Sequence, residues 1–411
     1  MFSSKQDNRV SGAIVAARVD RVVASLSDFM KVVEEVESAR AHAEGLCDFT
    51  AGNPQEIASR QYVDALKRWA EPLSTDWYGY KGAHRPAQQA AAAGLSAELG
   101  IAFQADDILL TRGAHGALGA ALGAVVDAGD EVIFVSPPWF FYEAMILGVG
   151  ATPIKTRLSP PAYDLDLDAI AAAITPRTRM LLLNTPHNPT GRIFPAESLK
   201  ALAAILHAAS ERNGRLIYIL SDQAYSRILF DGNIMVSPAS FYPRSLLVHT
   251  YSKSVLAPGQ RLGYLALPPE MPAKAELRRA MMAVGLASGN WLPDAIMQYA
   301  LPDIDLMSID LAGLRSKRDR MVAALRAYGY ELRLPEATFY LLVKAPIEDD
   351  VEFARRLRRD SVLVLPGRTV DMPGYFRISL TATDDMIDRA LPVFAAAVTA
   401  AGPGVPPTAF P

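Results

Sequence analysis

A lysine and an arginine lie close together in one glycine-containing stretch of this 411-residue chain. Lys253 stands in HTYSKS (residues 249–254), after an apolar run typical of a β-strand, and Arg261 is flanked by Gly259 and Gly263. An amine that can form an imine, beside a fixed cation that can bind phosphate, suits a phosphate-bearing aldehyde such as pyridoxal phosphate. Two solvated surface charges would explain this stretch alone equally well.

Polar residues also follow other predicted strands. In an open parallel sheet, ligands bind beyond the carboxyl ends of the strands, so these residues are candidates for one site. They are Asn184 and Asn188 after residues 180–183, Asp222 and Tyr225 after residues 216–221, and Thr250, Ser252 and Lys253 after residues 245–249.

Four motifs occur in the order and at the spacing of a known family. They are LLLNTPHNPTG (181–191), SDQAY (221–225), SK (252–253) and GQRLGY (259–264). In these motifs, and over about residues 48–391, the chain resembles the class I and II aminotransferases, which are pyridoxal phosphate enzymes of fold type I. The resemblance implies a ping-pong exchange of an amino group between an α-amino acid and a 2-oxo acid.

The resemblance implies a role for each residue around the cofactor ring. Lys253 would form the internal aldimine and shuttle the proton of the substrate α-carbon. Asp222 would face the pyridine nitrogen and keep it protonated, whereas a helix cap or turn is the structural alternative for this residue. Tyr225 and Asn188 would hydrogen-bond the phenolic oxygen of the ring, although Asn188 also begins an Asn-Pro turn.

The phosphate of such a cofactor needs hydrogen-bond donors and positive charge. The backbone amides of Ala114 and His115, at a predicted helix start, would point at it. Arg261 would add a charge-assisted contact, and Thr250 or Ser252 would add a hydroxyl.

Two further positions of the family concern the ring face and the substrate. Trp139 matches an aromatic residue stacked on the cofactor, with a core tryptophan or stacking by Phe140 as alternatives. Arg377 would bind the α-carboxylate, together with Gly52 and Asn188; an exposed strand arginine is the alternative.

A tyrosine in TDWYGYKG (75–82) implies a shared site. Tyr80, or its competitor Tyr78, matches a residue that reaches the phosphate of the neighbouring subunit, so a homodimer is expected. The same stretch also resembles the aminocyclopropane carboxylate synthase branch, and Gln260 replaces the usual tryptophan. A lyase, cyclase or amino acid oxidase reaction on the same scaffold therefore remains an alternative, whereas a DNA-binding regulator would need a basic domain that the residues before Asp48 do not supply.

Composition limits the partners and the compartment. Half of the residues are hydrophobic, 21% are charged and the net charge is −3, so no basic surface for nucleic acid and no membrane partner are expected. The single cysteine, Cys47, excludes an internal disulfide framework, and no metal site is predicted. With neither a signal peptide nor a membrane span in the sequence, we expect a cytoplasmic enzyme acting on small molecules.

The elements that must position these residues alternate along the chain. Apolar runs at 131–136, 180–184, 216–221, 245–250 and 262–267 alternate with helical stretches such as 114–128 and 196–213. This pattern predicts an α/β fold, with a mainly parallel sheet covered by helices and a smaller α+β domain built from both chain ends. The expected boundaries are 1–60 for a segment joining the small domain, 61–295 for the large domain, 296–401 for the small domain and 402–411 for a flexible tail.

Overall fold

The computed structural model describes residues 14–42, 45–290 and 292–401. These residues form twelve strands and thirteen α-helices. The strands are β1 (Cys47–Asp48), β2 (Ile108–Arg112), β3 (Glu131–Ser136), β4 (Thr152–Arg157), β5 (Thr178–Asn184), β6 (Tyr218–Asp222), β7 (Ser245–Thr250), β8 (Leu262–Ala266), β9 (Tyr340–Lys344), β10 (Val362–Leu363), β11 (Leu365–Pro366) and β12 (Tyr375–Ser379). The helices are α1 (Ala17–His42), α2 (Arg60–Ala70), α3 (Arg85–Leu99), α4 (Gly113–Val125), α5 (Tyr142–Gly148), α6 (Leu167–Ala173), α7 (Ala196–Asn213), α8 (Tyr251–Ser254), α9 (Lys274–Ala287), α10 (Ala295–Ile304), α11 (Leu311–Ala327), α12 (Asp350–Arg359) and α13 (Asp384–Ala401).

A seven-stranded sheet forms the centre of the larger unit. Its strand order is β2-β8-β7-β6-β5-β3-β4, and β8 alone runs antiparallel to its neighbours. Every residue of β3, β6 and β7 is buried, because helices cover both faces of the sheet. The predicted α/β fold with a mainly parallel sheet is confirmed.

The strands β7 and β8 form an antiparallel pair in which Thr250 lies opposite Gly263. The connection between them contains α8, which carries Lys253, and ends at Arg261. A short antiparallel connection keeps its two ends adjacent. The local fold therefore brings the predicted cofactor lysine and the predicted phosphate arginine to one edge of the sheet.

The smaller unit has its own sheets and its own core. Strands β11, β12 and β9 form an antiparallel sheet, and β1 pairs with β10 in parallel. The rings of Phe339, Phe353, Phe376 and Phe394 are fully buried between this sheet and helices α11 to α13. The apolar run 362–365, whose composition is typical of one strand, belongs to two, because β10 pairs with β1 whereas β11 pairs with β12.

The boundary between the units remains a proposal. Helix α10 packs against α2 and α3 of the larger unit, and Met297, Leu301 and Met307 share a hydrophobic cluster with Leu110 and Tyr264. We therefore propose that the smaller unit begins near α11. The expected tail, residues 402–411, lies outside the described residues.

Helix α1 contacts both units. The ring of Phe29 stacks on Phe140, just before α5, with the ring centroids 3.9 Å apart. On the other side, Glu35 forms ion pairs with Arg355 and Arg358 of α12, at 3.0 and 2.9 Å. The helix therefore crosses the opening between the two units.

Across residues 14–42, 45–290 and 292–401, no helix is both long and apolar enough to pass through a membrane.

Candidate active site

A cavity of about 390 Å³ lies beyond the carboxyl ends of β5, β6 and β7, between the two units and α1. Twelve of the thirteen predicted site residues line it. They are Gly52, Ala114, His115, Trp139, Asn188, Asp222, Tyr225, Thr250, Ser252, Lys253, Arg261 and Arg377.

Asp222 ends β6 and is 5% exposed. Its Oδ2 accepts a hydrogen bond from the Tyr142 hydroxyl at 2.7 Å, and its Oδ1 accepts one from the Ala224 amide at 3.1 Å. Burial raises the pKa of Asp222, and these two hydrogen bonds oppose the rise. One oxygen thus makes a local turn contact while the carboxylate also lines the cavity, and a role of Asp222 opposite the ring nitrogen stays a prediction.

A chain of amides connects Asp222 to the smaller unit. Asn184 donates from Nδ2 to the backbone oxygen of Asp222 at 2.9 Å and accepts from the Asn188 amide at 2.7 Å. The side-chain oxygen of Asn188 accepts from Arg377 Nη1 at 3.1 Å. All four residues are buried, so these contacts fix the arginine relative to the sheet.

Arg377 is a buried cation without an acidic partner among the described residues. It is 3% exposed, and its Nη2 donates to the backbone oxygen of Thr50 at 2.8 Å. Its Cζ lies 4.0 Å from the Tyr340 ring centroid, and its Nε has no hydrogen-bond partner in the described structure. A buried guanidinium that lines a cavity and lacks an acidic partner in the described structure is suited to bind an anion such as a carboxylate.

Gly52 approaches the same region closely. A Cβ at this position would lie 2.5 Å from the Tyr340 hydroxyl and 2.6 Å from a ring carbon of Phe339. Real Cβ atoms do not approach other atoms this closely, so only glycine fits at position 52 without a shift of its neighbours.

Two tyrosines face each other beside Lys253. Burial raises the pKa of Tyr225. Burial acts in the same direction on Tyr340, but the positive charges of Arg377 and Lys253 outweigh it and lower the pKa of this phenol. The two rings lie 5.9 Å apart, and the charges of Arg377 and Lys253 favour negative charge on the oxygen of Tyr340.

Lys253 is half-buried in the four-residue helix α8. Its Nζ lies 5.7 Å from the ring centroid of Phe339, and it forms no ion pair within the described residues. The amine therefore opens onto the cavity that Asp222 and Tyr225 also line.

The start of α4 forms a second anion site. Gly113 has a left-handed φ of +69°, and a Cβ there would meet Arg261 Nη2 at 3.0 Å. A Cβ on Gly263 would meet the His249 carbonyl at 2.6 Å. Burial and the charge of Arg112 lower the pKa of Arg261, and neither arginine has an acidic partner in the described part of the chain. The first amides of α4 and the guanidinium of Arg261 thus converge at one edge of the cavity, an arrangement that suits an anion such as a phosphate.

The hydroxyls at the end of β7 complete this edge of the cavity. Thr250 Oγ1 accepts from the Ser252 amide at 3.2 Å and donates to Ser252 Oγ at 2.9 Å. Both residues are buried, so the two hydroxyls are fixed beside the start of α4.

Aromatic rings close one side of the cavity. The ring of Trp139 lies 5.5 Å from Tyr142, the partner of Asp222, and 5.6 Å from His115. Phe140 instead stacks on Phe29 of α1. This arrangement favours Trp139 over Phe140 as the ring that covers a bound cofactor.

Tyr80 does not line the cavity of its own chain. Its side chain is fully exposed, and Tyr78 is 60% exposed and donates to the backbone oxygen of Ala70. A role of Tyr80 in a neighbouring subunit stays a prediction.

Within the described residues, no cluster of histidine, cysteine and acidic side chains could hold a metal ion.

Sequence reasoning missed three contributors to the site and assigned no role to a fourth, Asn184, which follows its predicted strand. Tyr142 is the last residue of the aromatic run SPPWFFY (136–142). Tyr340 is the first residue of β9, which pairs with the strand that carries Arg377, so the alternation of β9 could have indicated it. Phe29 gives no local signal, because its contact with Phe140 is distant in sequence.

Comparisons with known proteins agree with this geometry. The sequence profile "Aminotransferase class I and II" matches residues 44–394. The chain is 30% identical to an aspartate/prephenate aminotransferase of Thermus thermophilus over 362 residues, which are 85% of this chain and 90% of that protein. It is 31% identical to an aspartate aminotransferase of Rhizobium meliloti, over 73% of this chain and 76% of that protein. An aminotransferase structure from Eubacterium rectale superposes with a TM-score of 0.87 at 27% identity, over 95% of this chain and 100% of that one.

Proposed function

The chain belongs to the class I and II aminotransferase family and is a pyridoxal phosphate-dependent aminotransferase, and we propose that the cavity beyond β5, β6 and β7 is its active site. The observation that carries this assignment is the joint placement of four groups at one cavity. These are the amine of Lys253, the buried carboxylate of Asp222, and the guanidinium groups of Arg261 and Arg377, which have no acidic partner among the described residues.

The described residues fit the cofactor. Its phosphate would be held by the Ala114 and His115 amides at the start of α4, by Arg261 and by the hydroxyls of Thr250 and Ser252. The absence of an acidic partner for Arg261 in the described chain supports this role, because an unpaired cation beside helix amides favours an anion.

The ring would lie between Trp139 and Ala224, which both line the cavity. Asp222 would hold the ring nitrogen. Because burial raises the pKa of Asp222, the carboxylate is stabilised most when its partner is positively charged. Tyr225 and Asn188 would donate to the phenolic oxygen, in a region whose charges favour negative oxygen.

When bound, the cofactor supplies an aldehyde for the substrate amine and a ring that withdraws electrons from the bonds of the α-carbon. Lys253 Nζ would anchor the aldehyde and, once released, take up the α-proton. Arg377 would bind the α-carboxylate beside Gly52 and hold the α-carbon near this amine. The names of the relatives favour transamination over the lyase, cyclase and oxidase alternatives.

The proposal includes a cytoplasmic homodimer with shared active sites. Tyr80 is fully exposed, and Ile57 and Leu73 are exposed at 99% and 72%. Exposed apolar residues near a site favour burial against a second copy of the chain. The single cysteine supports a reducing compartment. Light scattering of the holoenzyme tests the homodimer. The cofactor affinity of the Tyr80→Phe variant, compared with that of wild type, tests the shared site.

The catalytic assignment is tested by spectroscopy of the purified protein. The holoenzyme should show the visible absorbance of bound cofactor, and borohydride should fix the cofactor to Lys253. An amino acid should convert the cofactor to its aminated form, and a 2-oxo acid should reverse the change. Lys253→Arg should abolish the conversion by an amino acid and its reversal by a 2-oxo acid. Lys200→Arg, on the exposed face of α7, should retain both. Ammonia release or oxygen uptake instead of reversal would contradict transamination.

A further inference from the structure

Part of the cavity wall remains after the cofactor and carboxylate contacts are assigned. One face of α1 and the loop before α5 provide it. We call this surface the apolar wall; it consists of Phe29, Val32, Val33, Val36, Phe140 and Phe141. The spacing of 29, 32, 33 and 36 places the four α1 residues on one helical face, which is turned to the cavity.

The rings of the apolar wall form one connected aromatic group. Phe29 stacks on Phe140 at 3.9 Å with an interplanar angle of 18°, and it meets Phe141 edge-on at 5.3 Å. Phe141 in turn lies 4.9 Å from Trp139. The phenylalanines are half-buried, so they still present ring surface that a ligand can cover.

The charges along the cavity argue against a second carboxylate on the substrate. Its described cations are Arg40, Lys253, Arg261 and Arg377, and the last three have the roles proposed above. Arg40 is already paired, since its Nε donates to Asp48 at 3.0 Å and its Nη1 to Glu37 at 2.9 Å. A distal carboxylate would therefore lie against aromatic rings or compete with Asp48 and Glu37 for Arg40. Both situations are unfavourable.

We propose that the enzyme selects amino acids with an apolar or aromatic side chain, and that Phe29 and Phe140 determine this specificity. The inference rests on the proposed active site. With the α-carboxylate on Arg377 and the amino group at Lys253, the side chain extends across the cavity and packs on the apolar wall. This specificity differs from the dicarboxylic substrate in the names of several relatives.

The first test compares substrates on the holoenzyme. The value of kcat/KM for phenylalanine and leucine should exceed that for aspartate by at least about tenfold, the size of effect that one well-filled apolar pocket provides. Calorimetry should show binding of 3-phenylpropionate and weaker binding of maleate, a ligand in one related Thermus thermophilus structure. A preference for aspartate and maleate would overturn the inference and would imply a cation from a second subunit.

The second test removes one ring. Phe29→Ala should lower kcat/KM for phenylalanine by about tenfold and change that for alanine by less than about threefold, because alanine does not reach the ring. Val23→Ala is the matched control, since Val23 is also an apolar residue of α1 but is 62% exposed and does not line the cavity. Equal losses for both substrates would mean that Phe29 only holds α1 in place, and no loss would mean that the ring is not in contact; either result overturns the inference.

The two proposals fail in different ways. A protein that binds no cofactor, or whose bound cofactor is not converted to the aminated form by any amino acid, would refute the proposed active site. A protein that transaminates but prefers dicarboxylic substrates would refute only the specificity.

Discussion

Replacing Arg377 should separate substrate binding from cofactor binding. Nη1 and Nη2 of the guanidinium each donate one N–H group, to Asn188 and to Thr50, so the second N–H of each nitrogen remains for a carboxylate. Two charge-assisted hydrogen bonds at about 1.5–3 kcal/mol each predict a loss of about 3–6 kcal/mol in Arg377→Ala. This loss corresponds to a fall in kcat/KM of about 10²–10⁴-fold.

Arg377→Lys should recover only part of this loss. A lysine keeps the charge but offers no planar pair of donors and cannot stack on Tyr340, whose ring lies 4.0 Å from the guanidinium carbon. The assay is steady-state kcat/KM together with the visible absorbance of the bound cofactor and the melting temperature. Arg356→Lys, a change on the exposed side of α12, is the control.

Two results would refute the reasoning on Arg377. One is a kcat/KM within about threefold of wild type in a folded Arg377→Ala protein, since a buried arginine that binds the carboxylate cannot be removed at so small a cost. The other is loss of cofactor absorbance in parallel with activity, which would assign this arginine to the cofactor and not to the substrate.

Three further changes have defined outcomes. Gly52→Ala should raise KM for the amino acid by about tenfold or more, because its Cβ would lie 2.5 Å from the Tyr340 hydroxyl and 2.6 Å from a ring carbon of Phe339; an unchanged KM would contradict the steric account. Asp222→Asn should lower kcat by about 10²–10³-fold while the cofactor remains visible in the spectrum, and near-normal kcat would show that the ring nitrogen does not use this carboxylate. Hydrogen bonding from Arg355 holds the pKa of Glu35 below its usual value, so its contribution to stability is present at neutral pH and is lost as the pH falls through the lowered pKa. Glu35→Gln should therefore cost about 0.2–1 kcal/mol at pH 7, and its melting temperature should converge with that of wild type in acid.

The residues that line the cavity were predictable because they lie at or soon after the ends of strands. Lys253, Asp222 and Asn188 each come soon after an apolar run, and parallel strands bring such positions to one edge of the sheet. The limits of β3, β7 and α7 agree with the predicted runs, since their residues are apolar and turn residues bound them.

The parts that sequence reasoning did not reach depend on contacts between distant segments. The contact of Phe29 with Phe140 joins residues far apart in the chain, and no periodicity of α1 tells which surface its apolar face will meet. The run 362–365 has the composition of one strand, but pairing with two different neighbours divides it into β10 and β11.

The connection between β7 and β8 has a practical consequence for anyone who prepares this enzyme. Lys253 and Arg261 are held by neighbouring strands of the central sheet, whereas Arg377 belongs to β12 in the smaller unit. If these residues have the roles proposed above, a preparation whose C-terminal third has begun to unfold will keep its yellow colour after it has lost its affinity for amino acids. Colour will overstate the fraction of competent enzyme, and active-site titration with a substrate is the proper measure of it.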